Sequence, residues 1–152
     1  MLLNSYNLMM TLKVRPLEFT DFAAWLPLWT ANNLGINDEK ITAQTWQRLC
    51  DPDQTVYGFG AFEGKDLVGI LHYILHPTTG HISHACYMQD LFTSENHRRK
   101  GIAKKLLRAL LEEYRKQKWA RIYWIAEQNN AAAQKLYEDF GKKLEFSFHV
   151  LV

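Results

Sequence analysis

The segment from Ile82 to Ala126 constrains the fold more than any other part of the chain. Ile82 to Phe92 reads as a strand. Ile102, Leu106, Leu107, Leu110, Leu111 and Tyr114 then recur at helical spacing, with Lys104, Lys105, Arg108, Glu112 and Arg115 on the opposite face. Arg121 to Ala126 is an apolar, aromatic run of the kind a strand buried on both faces requires. A strand, a helix and a strand of these lengths close as a right-handed parallel unit.

Around this unit the rest of the chain reads as antiparallel. Thr11 to Arg15 is a first strand ending at Pro16, and Thr20 or Asp21 caps a helix through Trp25 and Trp29 to about Asn33. Thr42 to Cys50 is a second helix. Val56 to Phe62 and Leu67 to Leu75, joined by Glu63-Gly64-Lys65-Asp66, form a hairpin. Asn130 to Phe140 is a last helix stopped by Gly141, and Leu144 to Val152 is a closing strand. The fold class is α/β: a mixed, mostly antiparallel sheet flanked by helices, with a central parallel strand-helix-strand unit. The 152 residues suffice for one domain, expected over 11–152, with 1–10 as a flexible tail and Met9 or Met10 as alternative starts.

The start of the long helix is electrostatically inverted. Helix N-termini favour acidic neighbours, yet His97, Arg98, Arg99, Lys100, Lys104 and Lys105 crowd this one, opposed by Glu95 alone. Gly101 and Ala103 keep the backbone accessible. Exposed N–H groups, the helix dipole and the cations together suit a phosphate or pyrophosphate. A solvated basic face and a nucleic-acid surface are the competing readings. The net charge of +2 and the Gly101/Ala103 pair speak against nucleic acid, and the Walker pattern is absent.

Other classes are narrowed by composition. Cys50 and Cys86 lack metal-ligand spacing and read as free thiols of a reducing cytoplasm. No apolar run approaches the roughly 20 residues that span a bilayer, and no membrane partner is expected. His72, His76, His81 and His84 cluster in and around two strands. Without carboxylate or cysteine support they read as solvent or substrate contacts, and no metal is expected. Trp25, Trp29 and Trp46 read as core or lip residues.

Arg98-Arg99-Lys100-Gly101-Ile102-Ala103 resembles the GNAT acetyltransferase pattern of Gln or Arg, any two, Gly, any one, Gly or Ala. Asn130, Ala133, Tyr137 and Gly141 match the family's downstream spacing. Tyr87-Met88-Gln89-Asp90-Leu91-Phe92 is similar to the diamine and polyamine branch and to acetyltransferases of amino acids or histone amines. It departs from the diamine enzymes at Gln89, where they carry Glu.

The resemblance implies acetyl-CoA as co-substrate and an N-acetyltransferase acting on a primary amine, expected on a small molecule such as an amino acid or a polyamine. A non-catalytic coenzyme A-binding module and an enzyme acting on protein lysine are the alternatives. It implies pantetheine along Leu91, Phe92 and Thr93, pyrophosphate on the backbone from Arg98, Arg99 and Lys100 through Gly101, Ile102 and Ala103 to Lys104, and Asn130 as a pantetheine contact, a helix cap, or both. Gln89 and Trp29 are implied on the acceptor side, and a homodimer through the C-terminal strands is expected. Asp90 reads equally as proton acceptor or as structural carboxylate. Tyr137 reads as core or as the acid for the leaving thiolate, since a phenol of pKa near 10 is protonated at pH 7.

Overall fold

The computed structural model describes residues 11–151. Five strands form one sheet in the order β1 (Leu12–Pro16), β2 (Val56–Glu63), β3 (Asp66–His76), β4 (Ala85–Thr93), β5 (Arg121–Tyr123). The first three pairings are antiparallel and β4 pairs with β5 in parallel. The connection from β4 to β5 carries α3 (Ile102–Gln117), so the expected parallel unit is present.

The other helices lie where their apolar residues send them. A 3₁₀ turn (Phe19–Asp21) leads into α1 (Phe22–Asn32), and α2 (Glu39–Cys50) follows. The Asp38 carboxylate caps α2 by accepting from the N–H groups of Lys40 and Ile41, which starts that helix ahead of Thr42. Asp21 does not cap α1. Its carboxylate accepts instead from the Arg15 guanidinium (2.7 and 2.9 Å) and the Glu18 N–H (2.8 Å), and the Arg15 bond holds its pKa below the ordinary range. The last helix, α4 (Ala131–Glu138), begins at an Asn130 cap.

The sheet separates two apolar layers. Phe59, Ala61, Val68, Leu71, Tyr73, Cys86 and Met88 face α3, whose Ile102, Leu106, Leu107 and Leu110 cover them. On the other face Trp25, Leu28, Trp29 and Trp46 of α1 and α2 pack on Phe62, Leu67 and Ile70. All three tryptophans expected as core or lip residues are therefore core. Both cysteines are free thiols, and complete burial pushes Cys86 up to about 12.

Gly69 fixes how closely α3 approaches. A Cβ there would lie 2.7 Å from Ile102 Cγ2 and 3.3 Å from the Phe92 carbonyl oxygen. The absent side chain thus lets the first turn of α3 rest on β3 beside the end of β4. Gly69→Ala is expected to destabilise the fold by about 1–3 kcal/mol through overpacking. Urea denaturation checks this, and a change below about 0.5 kcal/mol would show that the contact yields.

Three expectations are corrected at the sheet's ends. The β4 strand starts at Ala85 rather than Ile82. The β5 strand is an edge strand of only Arg121–Tyr123 and is not buried on both faces: Ile122 packs against the α3 layer, while Arg121 and Tyr123 are exposed. Residues 144–151 form no strand, because β5 is too short to offer them a ladder. The expected tail over 1–10 and the alternative starts Met9 and Met10 lie outside the described residues.

Candidate active site

The site forms where β4 and β5 part. Their ladder runs only from Ala85↔Arg121 to Tyr87↔Tyr123. Beyond it β4 continues to Thr93, while the chain after Tyr123 leaves the sheet. From Met88 onward β4 therefore has β3 on one side and, among the described residues, no strand on the other. Free backbone N–H and C=O groups line that side. The Thr93 hydroxyl oxygen, at the end of β4, is buried without a hydrogen-bond partner in the described structure.

A β-bulge shapes the same stretch. Across β3, His72 pairs with Asp90 and Tyr73 with Met88, which leaves Gln89 as the extra residue, exposed. Bulges re-aim side chains. Here the bulge turns Asp90 to the face covered by α1, where Asn32 Nδ2 donates to Oδ1 (3.0 Å) and His72 Nδ1 lies 3.0 Å from Oδ2. Leu91 faces the α3 layer and Phe92 the α1 layer. Beyond α1 the Tyr87 and Tyr123 rings pack 5.1 Å apart, and His76 Nε2 lies 2.8 Å from the Tyr123 hydroxyl.

The loop before α3 matches the cationic cluster read from the sequence. Arg99 (φ 62°) and Gly101 (φ 76°) both take left-handed backbone, a geometry that turns successive N–H groups to one side as an anion nest. Gly101 is the N-cap residue and makes no side-chain cap, and the first turn has no acidic residue. A Cβ on Gly101 would meet nothing within 4 Å, so the approach to this backbone is open. Arg98, Arg99 and Lys100 are exposed around it. The Lys104 ammonium is engaged by Asp139 of α4 at 2.6 Å. A groove of about 590 Å³ continues between α3 and α4, lined by Lys104, Arg108, Arg115 and Phe140.

Tyr137 lies on α4, and Asn130 is its N-cap. The Asn130 side chain accepts from the Ala133 N–H, so its capping role is present. The Tyr137 ring packs on Trp124 (centroids 5.1 Å apart) against the α3 layer, and burial pushes its phenol pKa up. A Cβ at Gly141 would collide with the Trp124 ring at 2.6 Å, so this glycine is needed where the chain passes Trp124.

Two expected placements resolve differently. Trp29 is buried, stacked on Trp25 at 5.2 Å, with its indole N–H donating to the Thr42 hydroxyl. His72 is not a solvent contact: it is 2% exposed, with both ring nitrogens engaged. No group of three or more metal-ligating side chains occurs among the described residues.

The features fit an extended ligand with amide groups at one end and phosphates at the other. The β4 edge suits the first, and the cation-ringed nest at Gly101 suits the second. Comparison with known proteins agrees. The model of the acetyltransferase (GNAT) family matches residues 20–142. A D-amino-acid N-acetyltransferase of Saccharomyces cerevisiae is 28% identical over 137 residues, covering 87% of this chain and 85% of that protein. Among solved structures, the ribosomal-protein-alanine N-acetyltransferase of Brucella melitensis superposes with a TM-score of 0.79 at 22% identity, over 93% of this chain and 99% of that one. AAC(6')-Iy, in complex with the bisubstrate analogue CoA-S-monomethyl-acetylneamine, gives 0.80 at 15% identity, over 93% and 97%. No helix among the described residues is long and apolar enough to cross a membrane. With a family model spanning most of its length, the chain belongs to the GNAT family of acetyltransferases, as an N-acetyltransferase that uses acetyl-CoA.

Proposed function

We propose that the enzyme acetylates a primary amine on a small molecule, with an amino acid as the leading acceptor class. One observation carries this: where β4 runs on past β5, Asp90 presents a carboxylate on the α1 face, and the half-buried phenol of Tyr137 packs on the α3 side of the sheet. The bound donor supplies an activated acetyl thioester. The β4 backbone at Leu91, Phe92 and Thr93 orients it, with Asn130 opposite, and the backbone from Arg98 to Lys104 holds its phosphates.

The acceptor enters from the other face. There Asp90 and Gln89 meet its nitrogen, and Trp29 holds α1, the helix that also carries Asn32, against the sheet. A lysine-like ammonium costs about 4–5 kcal/mol to deprotonate at pH 7, and Asp90, directly or through water, takes that proton. As nitrogen bonds to the acetyl carbon, the carbon–sulfur bond breaks. Tyr137, kept a hydroxyl by burial, gives its proton to the departing sulfur. Asp90 releases the ammonium proton to solvent, and the second proton, lost by nitrogen as the amide forms, returns to the phenol through solvent.

The yeast relative acts on D-amino acids by its name, and Gln89, a neutral amide, does not supply the second carboxylate that a diamine's distal ammonium favours. A panel of D- and L-phenylalanine, 1,4-diaminobutane and a lysine peptide tests the reading. It expects the amino acids to be acetylated faster than the diamine, and the peptide least. Acetylation of the peptide alone would overturn it. Gln89→Glu is expected to shift the ratio toward the diamine.

A homodimer in the cytoplasm completes the proposal. Leu144, Phe146, Phe148 and Val150 alternate along the arm after Gly141, and Phe146 and Phe148 are 85% and 72% exposed. A partner's arm laid beside β5 would cover such a stripe. Sedimentation of the full chain is expected to give a dimer, and deletion from Leu144 onward a monomer. A monomeric full chain would overturn this.

A further inference from the structure

His72 sits inside the buried run of β3 and, among the described residues, is the one imidazole flanked by tryptophans. Its Nε2 lies 3.0 Å from Trp25 Nε1, and its Nδ1 lies 3.0 Å from Asp90 Oδ2. The Trp25 and Trp29 rings stand 6.0 and 5.6 Å away, and a Cβ on Gly58 of β2 would be 3.2 Å from its Cδ2. Among these contacts Asp90 alone is charged.

An indole N–H can only donate, so Nε2 must accept. The ring proton is then on Nδ1 and is donated to Asp90. These two bonds fix both tautomer and charge: His72 is a neutral imidazole. Asn32, also neutral, donates to the other Asp90 oxygen at 3.0 Å. Each oxygen thus receives one bond, while an ionised carboxylate offers about four acceptor sites. The Asp90 side chain keeps 15% exposure. An imidazolium at this position would compete with an incoming ammonium for the carboxylate. The neutral ring orients the carboxylate and leaves its charge available.

We infer that Trp25 and His72 form a positioning relay, in which the Trp25 indole holds His72 as a neutral Nδ1–H donor so that Asp90 presents an uncompensated carboxylate to the acceptor amine. This rests on the reading of Asp90 as the group that meets the amine. Neither Trp25 nor His72 touches substrate; both act through Asp90. Apolar side chains would fill the same core space without the burden of satisfying buried polar atoms.

The first test needs no variant. Long-range ¹H–¹⁵N correlation on the folded protein at neutral pH is expected to show His72 with a protonated Nδ1 and an unprotonated Nε2. The opposite tautomer or an imidazolium overturns the relay. The second test is kinetic, with acetyl-CoA saturating and the fastest acceptor among D-phenylalanine, L-phenylalanine and 1,4-diaminobutane. Trp25→Phe and His72→Phe are each expected to lower kcat/KM for the acceptor by roughly 10- to 100-fold, with the KM for acetyl-CoA within a few fold of wild type. In an Asp90→Asn background the same substitutions are expected to change kcat/KM by less than about twofold, since residues that act through one group are not additive. Equal losses in both backgrounds would mark the network as structural and overturn the relay. Asp90→Asn at full activity would refute the role of Asp90 itself. Asp90→Asn impaired, with His72→Phe and Trp25→Phe at wild-type rates, would refute the relay alone.

Discussion

Tyr137→Phe is expected to lower kcat by roughly 10²- to 10⁴-fold, the range for removing a positioned general acid. The ring packs on Trp124 in the α3 layer, and phenylalanine preserves that packing. Acetyl-CoA affinity is expected to stay within a few fold, because the hydroxyl acts on charge that develops only as the carbon–sulfur bond breaks. The deficit should shrink with acyl donors whose thiols leave more readily. Because burial raises the phenol's pKa, the tyrosine remains the acid form through neutral pH and does not itself limit the rate there. Steady-state kinetics with a binding titration decide the matter. A kcat close to wild type, with stability lowered by about 0.5–1.5 kcal/mol, would leave Tyr137 a core residue.

Gly101→Val is expected to weaken acetyl-CoA binding by roughly 100-fold or more, equivalent to losing two hydrogen bonds to charged groups at about 1.5–3 kcal/mol each. The space around a Cβ at this position is open, so the obstruction arises only against the ligand. Valine also strains the backbone, since φ is 76° and left-handed geometry costs a branched residue roughly 1–2 kcal/mol. Gly101→Asn separates the two effects, because asparagine tolerates that geometry but still covers the N–H groups. Both variants are expected to lose binding in calorimetry, with the asparagine variant the more stable. Unchanged affinity in a folded variant would place the phosphates elsewhere.

The parts of this fold that were legible in the sequence depend on local pattern. The stripe from Ile102 to Tyr114 and the hairpin around Gly64 specify their elements directly, and the misplaced cations stand at a helix start that has no acidic residue in its first turn. The sheet's ends were not legible, because pairing is a property of neighbours. Arg121 to Ala126 has the composition of an inner strand, yet only Arg121–Tyr123 finds a ladder, and Leu144 to Leu151 alternates without one. The bulge at Gln89 leaves no mark in the residue order, although it decides which face Asp90 takes. For His72 a signal existed: a histidine within Leu67 to Leu75, an otherwise apolar run, needs buried partners. Which partners depends on α1 folding back across β3, a contact between residues far apart in the chain.

This chain is expected to transfer acetyl groups to amines and to do more than bind coenzyme A. The most direct measurement follows free thiol and acetylated amine together, with acetyl-CoA present and the amine panel added or withheld. Thiol release is expected to depend on amine, to match acetylated product mole for mole, and to fall with Tyr137→Phe far more than acetyl-CoA binding does. Tight acetyl-CoA binding with no amine-dependent thiol release would contradict it and leave a coenzyme A-binding module.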